Sequence, residues 1–563
     1  MLLQLMGLSV LGYLAWSLVV MESNYRRASS MGIPLVRLPV DPQNVLWMII
    51  EPHVWPLLDR LPIDWGTFRF SRRGWYFGDK GKAHQVYGPI FAVVTPLGIF
   101  IHIADSEAIN DMFQRRADFI RPVENYKVLE VYGPCISTAN WANWPRHRKV
   151  LASPFNESVM SFVWDQSTEQ TRQMLDSWAT EYRDQIPSVA KDTRTLSLNV
   201  LAATGFRKSY PFNSAAAVKN EGDAGSYRDA LQTVLDNCIL LMIAPRKMLT
   251  LPFAPKSWHE LAEAANNFKQ HMVQMLDEEM QALNSGSAGS GSLMTSFVRA
   301  MDLREKASTL SSEDSSNASS KGLSVDEIFG NIFVINFAGH DTTANTLSFA
   351  MLLLAANPDV QDWVAEELQQ IDSLEGNYAE CFPKFNRCKA VMFETLRHFP
   401  PIPSLPKSTS DQPQILKVGE KDLIIPANVA IAANMIAVHI DSRHWEDPLA
   451  WKPSRWIASL QSSSEGHKID QEEIKVPQKC TYFPWSEGPQ NCPGNKFSQV
   501  EFVAVLAKLL RENRVYPIRN SGETPEQTRA RVLETTRDVD LQLLLRMRDA
   551  DQVRLGCKRY RAD

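Results

Sequence analysis

Apolar positions open the chain as an almost unbroken run. Leu2 to Val20 carries only Gln4, Ser9 and Ser17 as mild interruptions. As a helix rising about 1.5 Å per residue, this run reaches roughly 28 Å, close to the thickness of a bilayer core. Arg26 and Arg27 follow it and no basic residue precedes it, so the positive-inside rule keeps the rest of the chain cytosolic. A cleaved secretory signal would want a basic start and a small-residue cleavage site, and neither is evident. The pattern predicts a transmembrane anchor over 1–22. A linker over 23–60 follows, punctuated by Pro34, Pro39 and Pro42, and then one large domain over 61–563.

Within that domain two short β-rich runs, Ile90 to Val94 and Ile99 to Ile103, flank Thr95-Pro96-Leu97-Gly98, which predicts a hairpin. Ser106 opens a helical period through Phe113, and from there to Ala356 the period is mainly helical. Ser324-Val325-Asp326-Glu327 reads as a capping box, and Asn357-Pro358 ends the helix it starts. Three stretches of polar, low-complexity composition, 284–292, 308–322 and 461–466, cannot bury enough apolar surface to order themselves. The expected fold class is mainly α with minor β, with the sheet segments at both ends of the chain.

Composition changes this picture little. Hydrophobic residues make up 44% and charged residues 22%, an ordinary globular balance with ample material for a core around a cofactor. A net charge of −5 gives no reason to expect nucleic-acid binding. The seven cysteines are scattered without the spacing of a disulfide framework or a zinc site. A reducing compartment is the simpler reading.

One cysteine stands apart. Phe483 to Gly494 is a Gly/Pro-rich loop that delivers Cys492 just before a helical pattern from Phe497 to Leu510. Backbone N–H groups and the helix dipole would favour a thiolate there. Gly488 and Gly494 permit tight turns and close approach to a flat cofactor. A lone loop cysteine is otherwise an inert, buried small residue. The loop resembles the haem-binding signature F-x-x-G-x-R-x-C-x-G of the cytochrome P450 family. Gly488, Cys492 and Gly494 match, Trp485 stands for Phe, and Gln490 stands for Arg. The exchange at 490 removes a cation that in the family pairs with a haem propionate, although an amide can still hydrogen-bond.

Further elements are similar to the same family. Ala338-Gly339-His340-Asp341-Thr342-Thr343 lies in a long apolar helix. Thr342 can turn its hydroxyl onto the carbonyl of Ala338, as in a bent core helix or a polar notch. The stretch resembles the distal motif in which Asp341 and Thr342 would relay protons to bound dioxygen. Glu394-Thr395-Leu396-Arg397 places acid and base on one helix face. With Arg455 in Pro453-Ser454-Arg455-Trp456 it resembles a structural cluster behind the haem. Trp144 to Arg148 resembles the W-x-x-x-R element, in which Trp144 and Arg148 would contact a propionate. Arg146 and Lys149 belong to an ordinary basic face or help dock an acidic electron donor. Lys407 sits where a propionate-binding Arg is common.

The resemblance implies haem b with Cys492 as the iron's axial ligand, and a monooxygenase reaction in which the thiolate favours O–O cleavage. No G-x-G-x-x-G fingerprint or P-loop is present, so electrons would come from a separate NADPH-cytochrome P450 reductase on the endoplasmic reticulum membrane. The substrate would be a lipophilic small molecule, in the manner of fungal enzymes that tailor secondary metabolites. The apolar stretch 237–253 is either a membrane-dipping lid or core helix. Phe333, Phe337, Ala338 and the 401–405 segment are candidate pocket walls. Three rivals stand beside this reading: a reductase-independent haem-thiolate isomerase or dehydratase, a haem-binding protein without catalysis, and an anchored helical interaction protein.

Overall fold

The computed structural model describes residues 2–42, 44–212, 227–244, 246–286, 291–310, 322–375, 378–459, 469–541 and 543–560. Most of 308–322, all of 461–466 and the middle of 284–292, each expected to lack order, lie outside the described residues.

The first helix, α1, runs Leu2–Ser29. Most side chains of its first three turns lie outside the described set, which takes in much of the expected anchor. Among the described residues no helix is long and apolar enough to cross a membrane. The second half of α1 docks on the body of the protein. Met21 and Ala28 are buried, and Asn24 Nδ2 donates to the carbonyl of Thr95 at 3.0 Å. The segment expected as a linker is largely ordered structure. Strand β1 (Leu35–Arg37) pairs in parallel with β2 (Ile90–Thr95), and α2 spans Val45–Leu58 despite Pro52 and Pro56 within it. Asn44 explains that start, since its side chain accepts from the N–H groups of Leu46 and Trp47. The prolines at 34, 39 and 42 mark the irregular chain before α2, but the linker reading does not extend over α2 itself.

The predicted hairpin forms between β2 and β3 (Gly98–Ile103), with Val93 opposite Phe100. Next comes α3 (Ser106–Gln114), capped by Asp105. Strands β4 (Phe119–Ile120), β5 (Ser404–Thr409) and β6 (Ala430–Asn434) complete a six-stranded sheet in the order β1-β2-β3-β6-β5-β4. The later half of the chain thus returns to the sheet that the early half begins.

The helical body is built around one long element. In chain order its main helices are α4 (Trp144–Ala152), α5 (Glu157–Thr180), α6 (Val189–Phe206), α7 (Tyr227–Asp236), α8 (Cys238–Ile243), α9 (Val325–Ala356), α10 (Asn386–His398) and α11 (Asn495–Glu512). The 32-residue α9 opens on the predicted capping box between Ser324 and Glu327. It is apolar on all sides because α6, α10 and α11 pack around it. Two glycines fix close approaches. A Cβ at Gly330 would lie 2.2 Å from the carbonyl oxygen of Gly133, and one at Gly339 would meet Leu201 of α6 at 3.1 Å. A small two-stranded ribbon, β7 (Val539–Leu541) and β8 (Leu545–Met547), carries the tip that reaches α9.

Candidate active site

The loop before α11 is held from three directions. The Cys492 N–H donates to the Trp485 carbonyl at 2.8 Å. The Trp485 indole N–H donates to Ser498 Oγ at 3.0 Å, tying the loop to α11. Gly488 adopts φ 70°, and a Cβ there would lie 2.8 Å from the Phe113 carbonyl oxygen at the end of α3. The turn and the close approach therefore both require glycine at this position. Gly494 differs: its φ is ordinary, and an added Cβ would only touch Cys492 Sγ at 3.9 Å. Its small size keeps the face beside the sulfur open.

Cys492 is the one cysteine of the seven that is exposed. Its sulfur opens into a recess rather than onto the outer surface, because protein surrounds it closely at longer range. Burial pushes the thiol up, and the Gly494 N–H and the Arg148 charge offset this only in part. A coordinating metal deprotonates a thiol outright.

Two cations touch this loop, and a third, Arg121, acts on one of them. Arg148 on α4 donates to the backbone carbonyl of Asn491 at 2.8 Å and to its side-chain oxygen at 2.7 Å. Lys407 on β5 donates to Gln490 Oε1 at 2.7 Å. Arg121, which follows β4, donates to the Ile136 carbonyl at 3.2 Å. Burial lowers the pKa of all three, that of Lys407 to about 8 with help from the Arg121 charge. None of them owes its state to a neighbouring carboxylate among the described residues. Cations withdrawn from water without an anion are costly, so a flat, dianionic group between them and a sulfur ligand fits this constellation. Haem b, with its two propionates, has that charge and shape. Trp144 is buried and stacks on Trp141 with ring centroids 5.6 Å apart.

On α9, Thr342 Oγ1 donates to the Ala338 carbonyl at 2.8 Å. The helix is continuous over this turn. Ala338 is exposed although most of the helix around it is buried, so the wall opens at this turn. Asp341 Oδ1 lies 3.0 Å from Arg194 Nε on α6 and 3.4 Å from His340 Nε2. Arg194 carried no signal in the sequence, since neither its spacing nor its neighbours distinguish it from a surface arginine. The candidate pocket walls divide. Ala338 and Ile402 are open, whereas Phe333 is fully buried against Tyr132 and belongs to the core. The 237–253 stretch also divides: Cys238, Leu241 and Leu249 are core, and Ile243, Met248 and Phe253 face outward.

The Glu394 cluster is a closed unit. Arg397 donates to both carboxylate oxygens at 2.9 Å, Arg455 Nε donates at 3.0 Å, and the Trp456 indole donates at 2.9 Å. Arg397 also reaches the carbonyls of His439 and Pro448, each at 2.8 Å. Arg146 donates to Glu327 at 2.7 Å and to the Gly322 carbonyl. It is committed within the chain, which leaves Lys149 as the exposed base of that face.

A cysteine loop ringed by anion-seeking cations, set against a long helix, defines a haem-thiolate protein. The sequence model of the cytochrome P450 family matches residues 57–543. A cytochrome P450 monooxygenase of Arthrobotrys oligospora is 30% identical over 525 residues, covering 89% of each chain. The phomenoic acid biosynthesis cluster cytochrome P450 monooxygenase of Leptosphaeria maculans is 27% identical, covering 88% of this chain and 89% of that protein. A crystal structure of a cytochrome P450 superposes with a TM-score of 0.62 at 19% identity, covering 87% of this chain and 95% of that one. The chain belongs to the cytochrome P450 family. It is a monooxygenase of that family, with haem b on a cysteine thiolate as its cofactor.

Proposed function

We propose that this protein inserts one atom of dioxygen into a lipophilic small molecule, with Cys492 as the axial haem ligand. The reading is carried by Cys492 as the only open cysteine, in a loop bracketed by cations that have no carboxylate partner among the described residues. When bound, the haem would supply dioxygen activation, with Cys492 as the residue that would hold its iron. The chain's own residues do the rest. Arg148, Lys407 and Arg121 would neutralise the propionates, with Trp144 beside them. Gln490 takes the place of the usual arginine by fixing the Lys407 ammonium. Gly488 and Gly494 leave room for the ring. Asp341 receives protons from the solvent side, and Thr342, its hydroxyl anchored on Ala338, presents them to the distal cavity.

The electrons come from an NADPH-cytochrome P450 reductase, and the reaction is a tailoring step in secondary metabolism. The name of the Leptosphaeria maculans relative supports this placement. The protein is held to the endoplasmic reticulum membrane by α1 as a single pass, with its catalytic domain in the cytosol. Leu11, Trp16 and Val19 on α1 are more than half exposed, as are Leu46, Ile49 and Leu57 on α2. Large apolar side chains left in water on both helices support a lipid-facing role for this end of the chain.

The test is the carbon monoxide difference spectrum of the reduced protein beside Cys492→Ala. The expected result is a strongly red-shifted Soret band that the variant loses, together with NADPH consumption when reductase is added. Folded protein that retains haem and the same band without Cys492 would overturn the assignment. Dioxygen- and reductase-independent turnover of a peroxide would move it to the isomerase reading.

A further inference from the structure

The aromatic residue ahead of Cys492 in its loop is held by more than packing. The Trp485 carbonyl accepts the Cys492 N–H at 2.8 Å, so indole and sulfur hang from backbones joined by a hydrogen bond. The family signature has phenylalanine at this position. Tryptophan brings a group that phenylalanine lacks, an indole N–H, which donates and never accepts. Such an N–H usually takes a partner when it is withdrawn from water. Here it donates to Ser498 Oγ at 3.0 Å, in the first turn of α11. Ser498 is occupied in both roles, because its own hydroxyl donates to the Asn495 carbonyl at 2.9 Å. With that proton committed, a lone pair is what remains to face the indole. Phe393 of α10 and Tyr482 meet the indole ring edge-on, with centroids 5.9 Å and 6.4 Å away.

We propose that Ser498 is a positioning residue that parks the Trp485 indole N–H on α11, away from the Cys492 sulfur, so that the sulfur keeps its electron density for the haem iron.

The reasoning starts from what a donor does to a ligating sulfur. A hydrogen bond to the sulfur draws density from it, weakens its bond to the metal and raises the reduction potential. The sulfur of Cys492 already faces one donor, the Gly494 N–H. Phenylalanine at 485 could add no second one, whereas a tryptophan can. A thiolate is the strongest acceptor this loop would offer an unpaired N–H, because hydrogen bonds to ionised groups are the strong ones. The Ser498 hydroxyl removes that competition by accepting first, and the Asn495 carbonyl keeps the hydroxyl turned the right way. Ser498 therefore acts through Trp485 and touches neither sulfur nor cofactor. The inference rests on Cys492 serving as the axial ligand.

The experiment uses the full chain, first as apoprotein and then loaded with haem. In the apoprotein, the ultraviolet resonance Raman signal of Trp485, isolated by subtracting Trp485→Phe, reports the indole hydrogen bond. It should shift in Ser498→Ala and return in Ser498→Thr, which keeps the hydroxyl. In the ferric holoprotein, the iron–sulfur stretch is identified by labelling cysteine with 34S. Ser498→Ala should lower its frequency and raise the reduction potential, and Ser498→Thr should restore both. The deciding variant combines Ser498→Ala with Trp485→Phe. With no indole N–H to release, it should match Trp485→Phe alone in both readings. A frequency and potential unchanged by Ser498→Ala overturn the proposal, as does an equal shift in the Trp485→Phe background, which would make Ser498 merely structural. The ligand assignment is read separately: if Cys492→Ala keeps the red-shifted carbon monoxide band, that reading fails, whatever the Ser498 variants show.

Discussion

Two carboxylates on long buried helices meet arginines in this protein, with opposite results. Glu394 on α10 is enclosed, and every lone pair is used: Arg397, Arg455, Trp456 and the Lys452 N–H all donate to it. Burial alone would raise its pKa, but the hydrogen bonds from Arg397 and His398 win and hold it well below the usual carboxylate range. Asp341 on α9 touches Arg194 and His340 without an aligned hydrogen bond and borders a polar cavity. A carboxylate with every position filled can only be structural, because any proton or new partner must first break a network. One with loosely filled positions is free to exchange. Both sites set a carboxylate beside arginine and histidine; the number of aligned donors and the access separate them.

Mutation of the two clusters is the strongest way to break that comparison. Arg397→Ala leaves Glu394 buried beside the remaining donors and should cost about 3–5 kcal/mol of stability. Asp341→Asn should change the melting temperature little, within about 1–2 kcal/mol, while altering how efficiently NADPH consumption yields product. Equal destabilisation by the two would erase the distinction. The pH dependence follows from sign. The Glu394 carboxyl is held below its ordinary value of 4.5, so its contribution is fully present above that value and is lost as pH falls below it. Glu394→Gln should flatten the acid limb of a stability–pH curve measured by thermal melting.

A second test concerns backbone rather than charge. Gly488→Ala meets both a left-handed φ and the Phe113 carbonyl at 2.8 Å. The expected cost is about 2–4 kcal/mol, with weaker haem retention. Gly494→Ala, at ordinary φ with only a 3.9 Å contact to sulfur, should leave apoprotein stability almost unchanged and show its effect in haem binding alone. Denaturant melts of the apoproteins and haem-loss rates of the loaded proteins separate the two.

These contrasts also mark what the sequence could reveal. The hairpin, the capping box at Ser324 and the Thr342–Ala338 bond are local, spanning a few residues, and each was legible from pattern alone. The Cys492 loop was legible because its glycines and prolines carry their own geometry. Arg194 was not legible, because its meaning comes from a crossing of α6 over α9 that no short window contains. Arg121 was hidden for the same reason: the pairing of β4 with β5 brings it near Lys407. Helix α2 was missed because the linker reading from Pro34, Pro39 and Pro42 was carried across the whole of 23–60, whereas the cap at Asn44 and the burial of Trp47 and Trp55 support a helix after those prolines.

The Lys407–Gln490 pair extends the comparison to a cation, since it too is buried with one aligned partner. Gln490→Arg restores the residue usual in the family signature but brings a second positive charge against Lys407. It should weaken the apoprotein by about 1.5–3 kcal/mol. Adding Lys407→Gln should recover most of that loss, because the donor and acceptor simply exchange places. A double-mutant cycle on apoprotein stability, with haem retention as a parallel reading, measures the coupling. A coupling near zero would mean that the two side chains act independently.

Glu501 on α11 supplies the third case, a buried carboxyl with neither a full network nor a cation. Its Oε1 has no hydrogen-bond partner among the described residues, and burial pushes its pKa up to about 8, offset only slightly by Ser197. In the folded protein it is therefore neutral at pH 7. Because the folded value lies above the ordinary 4.5, its contribution to stability is complete below that pH. The contribution is lost progressively as pH rises through about 8, where the ionised form must be accommodated or the fold opened. The slope over any one pH unit is at most about 1.4 kcal/mol. Glu501→Gln keeps the shape and removes the proton equilibrium, so its melting temperature should vary less between pH 6 and pH 8 than that of the wild type. If wild type and variant lose stability in parallel over that range, Glu501 is not the group that titrates, and the rule that access and alignment decide a buried carboxylate's role would fail at its simplest example.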